Sequence, residues 1–132
     1  MSECEEDEDS NSPSQTIKNF FKHFNKEDEL SLNQIFDAPC VFIIDNKTNL
    51  FKKYSDAVDF DSLRKSGWRY SRINSLEVVY EDSTTSMIRF SFSRLNESDD
   101  EISHTDAAHI LVKKDNKWKI KAVFIHGSLD LR

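Results

Sequence analysis

Between Ser12 and His126 the chain changes from an apolar repeat of three to four residues to one of two. Ile17, Phe20, Phe21 and Phe24 recur at helical spacing, so a phenylalanine-rich stripe faces the core. Ser12-Pro13-Ser14-Gln15 opens that helix with a capping serine, a proline at the first helical position and glutamine three residues after the cap. His23 lies beside the stripe and reads as exposed. Ser31 and Gln34 form a second capping box, with Leu30 and Ile35 as its hydrophobic staple, and Pro39 stops the short helix. Val41 to Ile44 reads as a buried strand. Asp45 to Asn49 is a turn, and Leu50 and Phe51 return in a short hairpin. Ser55-Asp56 can cap a third helix running to about Lys65, with Gly67 placed just past its end.

From Trp68 onward the period is two. Tyr70 to Tyr80 and Ser86 to Leu95 are rich in aromatic and β-branched residues, and Asn96 to Glu101 is a polar loop before a final hairpin. In the last strand Trp118, Ile120, Ala122, Phe124 and His126 form one row while Lys117, Lys119 and Lys121 fill the gaps, predicting one buried and one wet face. Val123 and Ile125 then point outward as an apolar association surface. Two registers are open for this hairpin. A three-residue loop, Asp115-Asn116-Lys117, sets Lys114 opposite Trp118, Ile110 opposite Ala122 and Asp106 opposite His126. A two-residue loop sets His109 and Lys113 on the face of Trp118 and Ala122. The hydrophobic pattern favours the first. Helices followed by a long meander argue for an α+β domain, with the helices on one face of an antiparallel sheet.

That order of elements resembles the nuclear transport factor 2-like superfamily of cystatin-like cones, in its polyketide-cyclase and ketosteroid-isomerase branch. The likeness is carried by Asp28 to Phe36 leading into Val41-Phe42, by Phe51 to Phe60, and by Lys114-Asp-Asn-Lys-Trp-Lys-Ile120. It spans residues 13 to 128. The resemblance implies a cone-shaped roll, in which a strongly bent antiparallel sheet wraps the N-terminal helices. It also implies an open end that often takes a small apolar organic ligand, and a homodimer formed through the sheet face. Members of the superfamily include cofactor-free isomerases, dehydratases and cyclases as well as non-catalytic dimerisation modules, so fold alone leaves function open.

Charge removes some classes. The formal charge of −6 resides in Glu3, Glu5, Glu6, Asp7, Glu8 and Asp9; from Ser10 onward 18 acidic residues face 18 basic ones. Such a balance gives no positive footprint for nucleic acid. Residues 1–11 read as a disordered acidic tail, and residues 12–132 as a single domain. No apolar run reaches membrane-spanning length and no basic-then-apolar leader opens the chain, so a soluble cytoplasmic protein with no membrane partner is expected. Cys40 reads as a small buried hydrophobe.

The chemistry-bearing candidates are few. In the favoured register Asp106 and His126 are cross-strand neighbours, with His104 two residues along. A carboxylate bonded to an imidazole fixes its tautomer and can make it a general base, so His126 with Asp106 is the candidate catalytic pair. A structural Asp–His bond closing the sheet edge is the competing account. His104, Asp106 and His109 do not share a strand face, which argues against a metal site, and no cofactor is expected. Phe20, Phe24, Tyr54, Trp68 and Phe124 are expected to line an apolar pocket with His104. Tyr54 and Trp68 are its expected rim, because each carries a polar atom that wants a partner. The steroid-isomerase constellation is not evident: Asp45 sits in a turn, and the first helix has phenylalanines but no tyrosine.

Overall fold

The computed structural model describes residues 12–127 and 129–131; the acidic tail expected at 1–11 lies outside them. The elements are α1 (Pro13–Asn25), α2 (Glu29–Ile35), β1 (Phe36–Ile44), β2 (Lys47–Phe51), α3 (Phe60–Lys65), β3 (Tyr70–Glu81), β4 (Thr85–Leu95), β5 (Glu101–Lys114) and β6 (Lys117–Ile125). A 3-10 turn at Tyr54–Asp56 precedes α3. The strands form one sheet ordered β2-β1-β6-β5-β4-β3, and α1 packs across β3, β4 and β6. Neighbours are antiparallel except β1 and β6, which run parallel. The expected α+β roll is present, with one parallel pair that strand periodicity does not report.

Local signals explain where the helices begin. Ser12 Oγ accepts from the Gln15 N–H at 3.1 Å, and Pro13 takes the first turn, as the sequence predicts. The second helix starts earlier than expected. Asp28 caps it by accepting from the Ser31 N–H at 3.2 Å, so Ser31 lies inside the first turn and Leu30 is exposed rather than stapled. The third helix is shorter than expected because Asp59, not Ser55, provides its cap, accepting from Ser62 N–H at 3.2 Å. Ser55 instead receives Asn33: its N–H donates to Asn33 Oδ1 at 2.9 Å. Gly67, with φ +108°, follows α3 in a conformation that favours glycine.

One β-bulge decides which residues face the helices. Asp115 and Asn116, at φ +53° and +64°, make a two-residue turn that pairs Lys114 with Lys117 and Leu111 with Ile120. The register then shifts so that Ile110 pairs with Ala122, leaving Lys121 as the extra residue of β6. Lys121 Nζ and Lys114 Nζ hold Asp37 Oδ2 of β1 at 3.2 and 3.1 Å, which ties the bulge to the neighbouring strand. Beyond it the alternation reverses. Val123 and Ile125 turn inward, while Ala122, Phe124 and His126 turn outward. The expected three-residue loop is therefore corrected to a tight turn plus a bulge. The expected inward row ending in Ala122, Phe124 and His126 becomes an outward one.

The core lies between α1 and the inner sheet face, where Phe20, Phe21, Phe24, Phe36, Phe42, Phe90 and Phe92 form a continuous aromatic cluster. Burying each such side chain stabilises the fold by roughly 1.5–3 kcal/mol. Cys40 is fully buried within it, as expected. His23, expected to be exposed, is buried, and its Nδ1 lies 3.6 Å from Asp28 Oδ2, because the loop after α1 folds back over that side of the helix.

Candidate functional site

The alternation of β4 carries Ile88, Phe90, Phe92 and Arg94 on one face, and their partners on β5 carry His109, Ala107 and Thr105. Of these, Phe90, Phe92, Arg94 and His109, together with Phe20, Phe21 and Phe24 of α1, Phe42 of β1, Tyr54, Ser71 and the inward Val123 and Ile125, enclose an apolar cavity. Leu129 and Leu131 of the C-terminal segment close it, and the Asp59 N–H donates to the Leu131 carbonyl at 2.6 Å to hold them there. What remains is about 30 Å³, room for one or two water molecules. The open end that the resemblance implies is occupied here by Leu129 and Leu131.

Besides Ser71, three polar side chains sit inside this hydrophobic wall. Arg94 is 6% exposed, His109 3% and Tyr54 2%. His109 lies edge-on to Phe90 at 4.8 Å and to Phe20 at 5.6 Å, and its Nδ1 has no hydrogen-bond partner among the described residues. Burial alone pushes its pKa down to about 3, so the imidazole is neutral at physiological pH. Tyr54 is stacked on Phe36 at 4.5 Å, and burial pushes its phenol well above the ordinary tyrosine range. It therefore stays a protonated hydrogen-bond donor. Burial lowers the pKa of Arg94, while electrostatic interaction with Tyr54 and Asp130 acts to raise it. Arg94 Nε has no hydrogen-bond partner among the described residues. Among the described residues it is the one ionised side chain in the cavity wall. A guanidinium withdrawn from water without a bonded counter-ion is costly, by several kcal/mol in order of magnitude.

The outer face of the same strands is built differently. Ser75, Glu77, Arg89, Ser91, Asp106, Ala108, Phe124 and His126 line an open groove of about 650 Å³. Arg89 donates to Glu77 Oε1 at 2.7 Å. His104 Nε2 lies 3.8 Å from Asp106 Oδ1, with side chains 49% and 62% exposed. Asp106 and His126 are neighbours, as expected, but the recorded bond is between backbones: the His126 N–H donates to the Asp106 carbonyl at 3.0 Å.

The sequence candidates thus divide between two sites. Phe20, Phe24 and Tyr54 line the inner cavity. Trp68 and Tyr54, expected at a rim, are both buried; Trp68 packs on Phe24 and its Nε1–H donates to Ser71 Oγ at 3.0 Å. His104, Asp106, Phe124 and His126 stand on the opposite face of the sheet: the two-residue turn sets His104 and Asp106 of β5 outward, and the bulge at Lys121 turns Phe124 and His126 of β6 to the same side. His109 stands inside the cone and His104 and Asp106 outside it, so the three do not converge. Arg94 and His109 were not selected from sequence as pocket residues. For Arg94 a signal existed: it continues the period-two row of Phe90 and Phe92.

This fold is that of the nuclear transport factor 2-like class. The family described as NTF2-like protein (DUF6841) matches residues 8–128, and the chain belongs to it. No curated protein matches the sequence. Among solved structures, a candidate ketosteroid isomerase from Shewanella frigidimarina NCIMB 400 is 13% identical, with 92% of this chain and 98% of that one covered and a TM-score of 0.66. A candidate aromatic ring hydroxylase from Novosphingobium aromaticivorans is 9% identical over 94% and 92%, with a TM-score of 0.67. A candidate Ca/calmodulin-dependent kinase II association domain from Exiguobacterium sibiricum 255-15 is 14% identical over 89% and 90%, with a TM-score of 0.65. At these identities the likeness is one of fold.

Proposed function

We propose that this chain is a small-molecule-binding cone domain, whose ligand enters the space now held by Leu129 and Leu131. The observation that carries the reading is the polar centre: Arg94, His109 and Tyr54 are buried in an aromatic cavity where unpartnered nitrogens have no packing rationale. As an enzyme it would use cofactor-free proton chemistry, with neutral His109 and the Tyr54 phenol as the groups within reach. A role for His126 and Asp106 as base and orienter would act in the outer groove, open to water. The test is displacement of a neutral fluorescent dye such as Nile red by small organic compounds. Binding weakened by the cavity-filling Ile125→Phe supports the reading; binding indifferent to it, or no binding at all, overturns it.

A second reading, self-association through the sheet, rests on the outward face. Val41, Ile43, Ala122, Phe124, Ala108 and Ile110 are laterally adjacent across β1, β6 and β5 and only half-buried. An isologous homodimer would cover this strip, with Glu77–Arg89 and Asp106 at its border. The two readings are compatible, since they use opposite faces. Sedimentation of the protein with and without Phe124→Asp tests the second: a shift from dimer to monomer supports it, and a monomer in both cases excludes it.

A further inference from the structure

Resting on the binding reading above, we infer that the cone's ligand is a small organic carboxylate, an apolar body with one anionic head that pairs with Arg94 in place of the C-terminal leucines. Three observations converge on that chemistry.

The first is charge. Arg94 brings one positive charge into the cavity wall, and it is 6% exposed with its Nε unbonded. His109 is neutral there, so the site offers one cation and not two. A guanidinium matches a carboxylate in a bidentate fork, whereas a phosphate dianion would leave a charge uncompensated. Ser71 is the cross-strand partner of Arg94, and Tyr54 Oη and His109 add neutral donors for the same head group.

The second is what stands in the site now. Leu129-Asp130-Leu131 presents apolar groups on either side of a carboxylate, and the Asp130 charge already acts on Arg94. The segment has the chemistry of the ligand it would yield to, with its anion held outside rather than bonded.

The third is space. Leu129, Leu131 and Phe42 line the closed cavity and also an open depression of about 210 Å³ that includes Ile44 and Phe51. The two leucines are the partition between them. A void left by one leucine, roughly 150 Å³, already accepts a benzene-sized molecule. Withdrawal of both leucines joins the two spaces into a volume that a one-ring acid or a medium-chain fatty acid can fill.

The experiment compares matched acid and amide pairs, benzoate with benzamide and hexanoate with hexanamide, by calorimetry on the whole chain. The wild-type protein is expected to bind each acid about 10- to 100-fold more tightly than its amide, the ratio a charge-assisted bond supplies. Arg94→Met is expected to abolish that ratio and Arg94→Lys to keep part of it; circular dichroism confirms that each variant is folded. Leu129→Ser with Leu131→Ser is expected to tighten acid binding by removing the competing occupant. Equal affinity for acids and amides, both weakened by Ile125→Phe, overturns the anion inference and leaves the binding reading standing. No binding of either kind, even to the doubly substituted chain, overturns both. The wild-type acid-to-amide ratio needs no variant, so the inference remains testable if a substitution misfolds.

Discussion

The two faces of one sheet handle polar side chains in opposite ways. On the outer face Arg89 has Glu77 at 2.7 Å, His104 has Asp106 at 3.8 Å, and each of these groups is wet. On the inner face Arg94 and His109 are enclosed by phenylalanines, and Arg94 Nε and His109 Nδ1 have no partner among the described residues. Arg89 and Arg94 are five residues apart on β4, yet Arg89 is paired and wet while Arg94 is buried, with its Nε unpartnered among the described residues. Partnered, exposed charges contribute little to stability and need no special account. A buried charge without a bonded partner is held against its own desolvation, which is the mark of a site shaped for something else.

The largest test of this contrast is packing. Phe20→Ala, which removes the ring that meets Phe21, Phe24, Phe36, Tyr54 and His109, is expected to destabilise the protein by about 3–5 kcal/mol in urea unfolding. Phe124→Ala on the outer face is expected to cost about 1 kcal/mol or less in the isolated chain. Equal losses would mean that the faces are not distinct. Arg94→Met is expected to raise stability, by roughly 1–4 kcal/mol, because a methionine fills the volume without a charge to desolvate. A loss instead would show that Arg94 is a structural residue with a partner in solution.

The pH response sharpens the comparison further. The pKa of His109 is about 3 in the fold and about 6.5 in an unfolded chain, so the unfolded state takes up the proton first as pH falls. Its stabilisation is complete above pH 6.5 and is lost progressively toward pH 3. Between pH 6.5 and 4.5, where most carboxylates stay ionised, the loss is expected to be about 2–3 kcal/mol. His109→Phe is expected to flatten that slope. An unchanged slope would mean that the imidazole reaches water. The smallest effect belongs to the outer pair: Glu77→Gln or Arg89→Met is expected to alter stability by less than about 1 kcal/mol, and the alteration should vanish in high salt.

Much of this architecture is legible along the chain. The Ser12 cap, the phenylalanine stripe of α1 and the limits of the four long strands follow from side-chain period and turn chemistry. The start of α2 is less legible because Asp28 and Ser31 are both good caps three residues apart, and geometry chose the aspartate. The site is hidden for a sharper reason. Ala122, Val123, Phe124 and Ile125 are all apolar, so reversing their alternation leaves the pattern looking unchanged. The bulge at Lys121 falls just before this run, and it exchanges His126 and Phe124 for Val123 and Ile125 on the inner face. The turn belongs to the disfavoured register and the far end to the favoured one. No pattern within one hairpin could supply both. The parallel pairing of β1 with β6 and the docking of Leu129 and Leu131 are likewise long-range events that local periodicity does not encode.

The central claim is that binding occurs inside the cone, at Arg94, and not in the more spacious outer groove. It is tested most directly by nuclear magnetic resonance, following side-chain N–H signals and backbone amides during titration with benzoate. The account predicts shifts at Arg94 Nε–H, His109 and the amides of residues 129–131, with His104, Asp106 and His126 unmoved. Shifts confined to His104, Asp106 and His126, with Arg94 silent, would contradict it and return the site to the outer face.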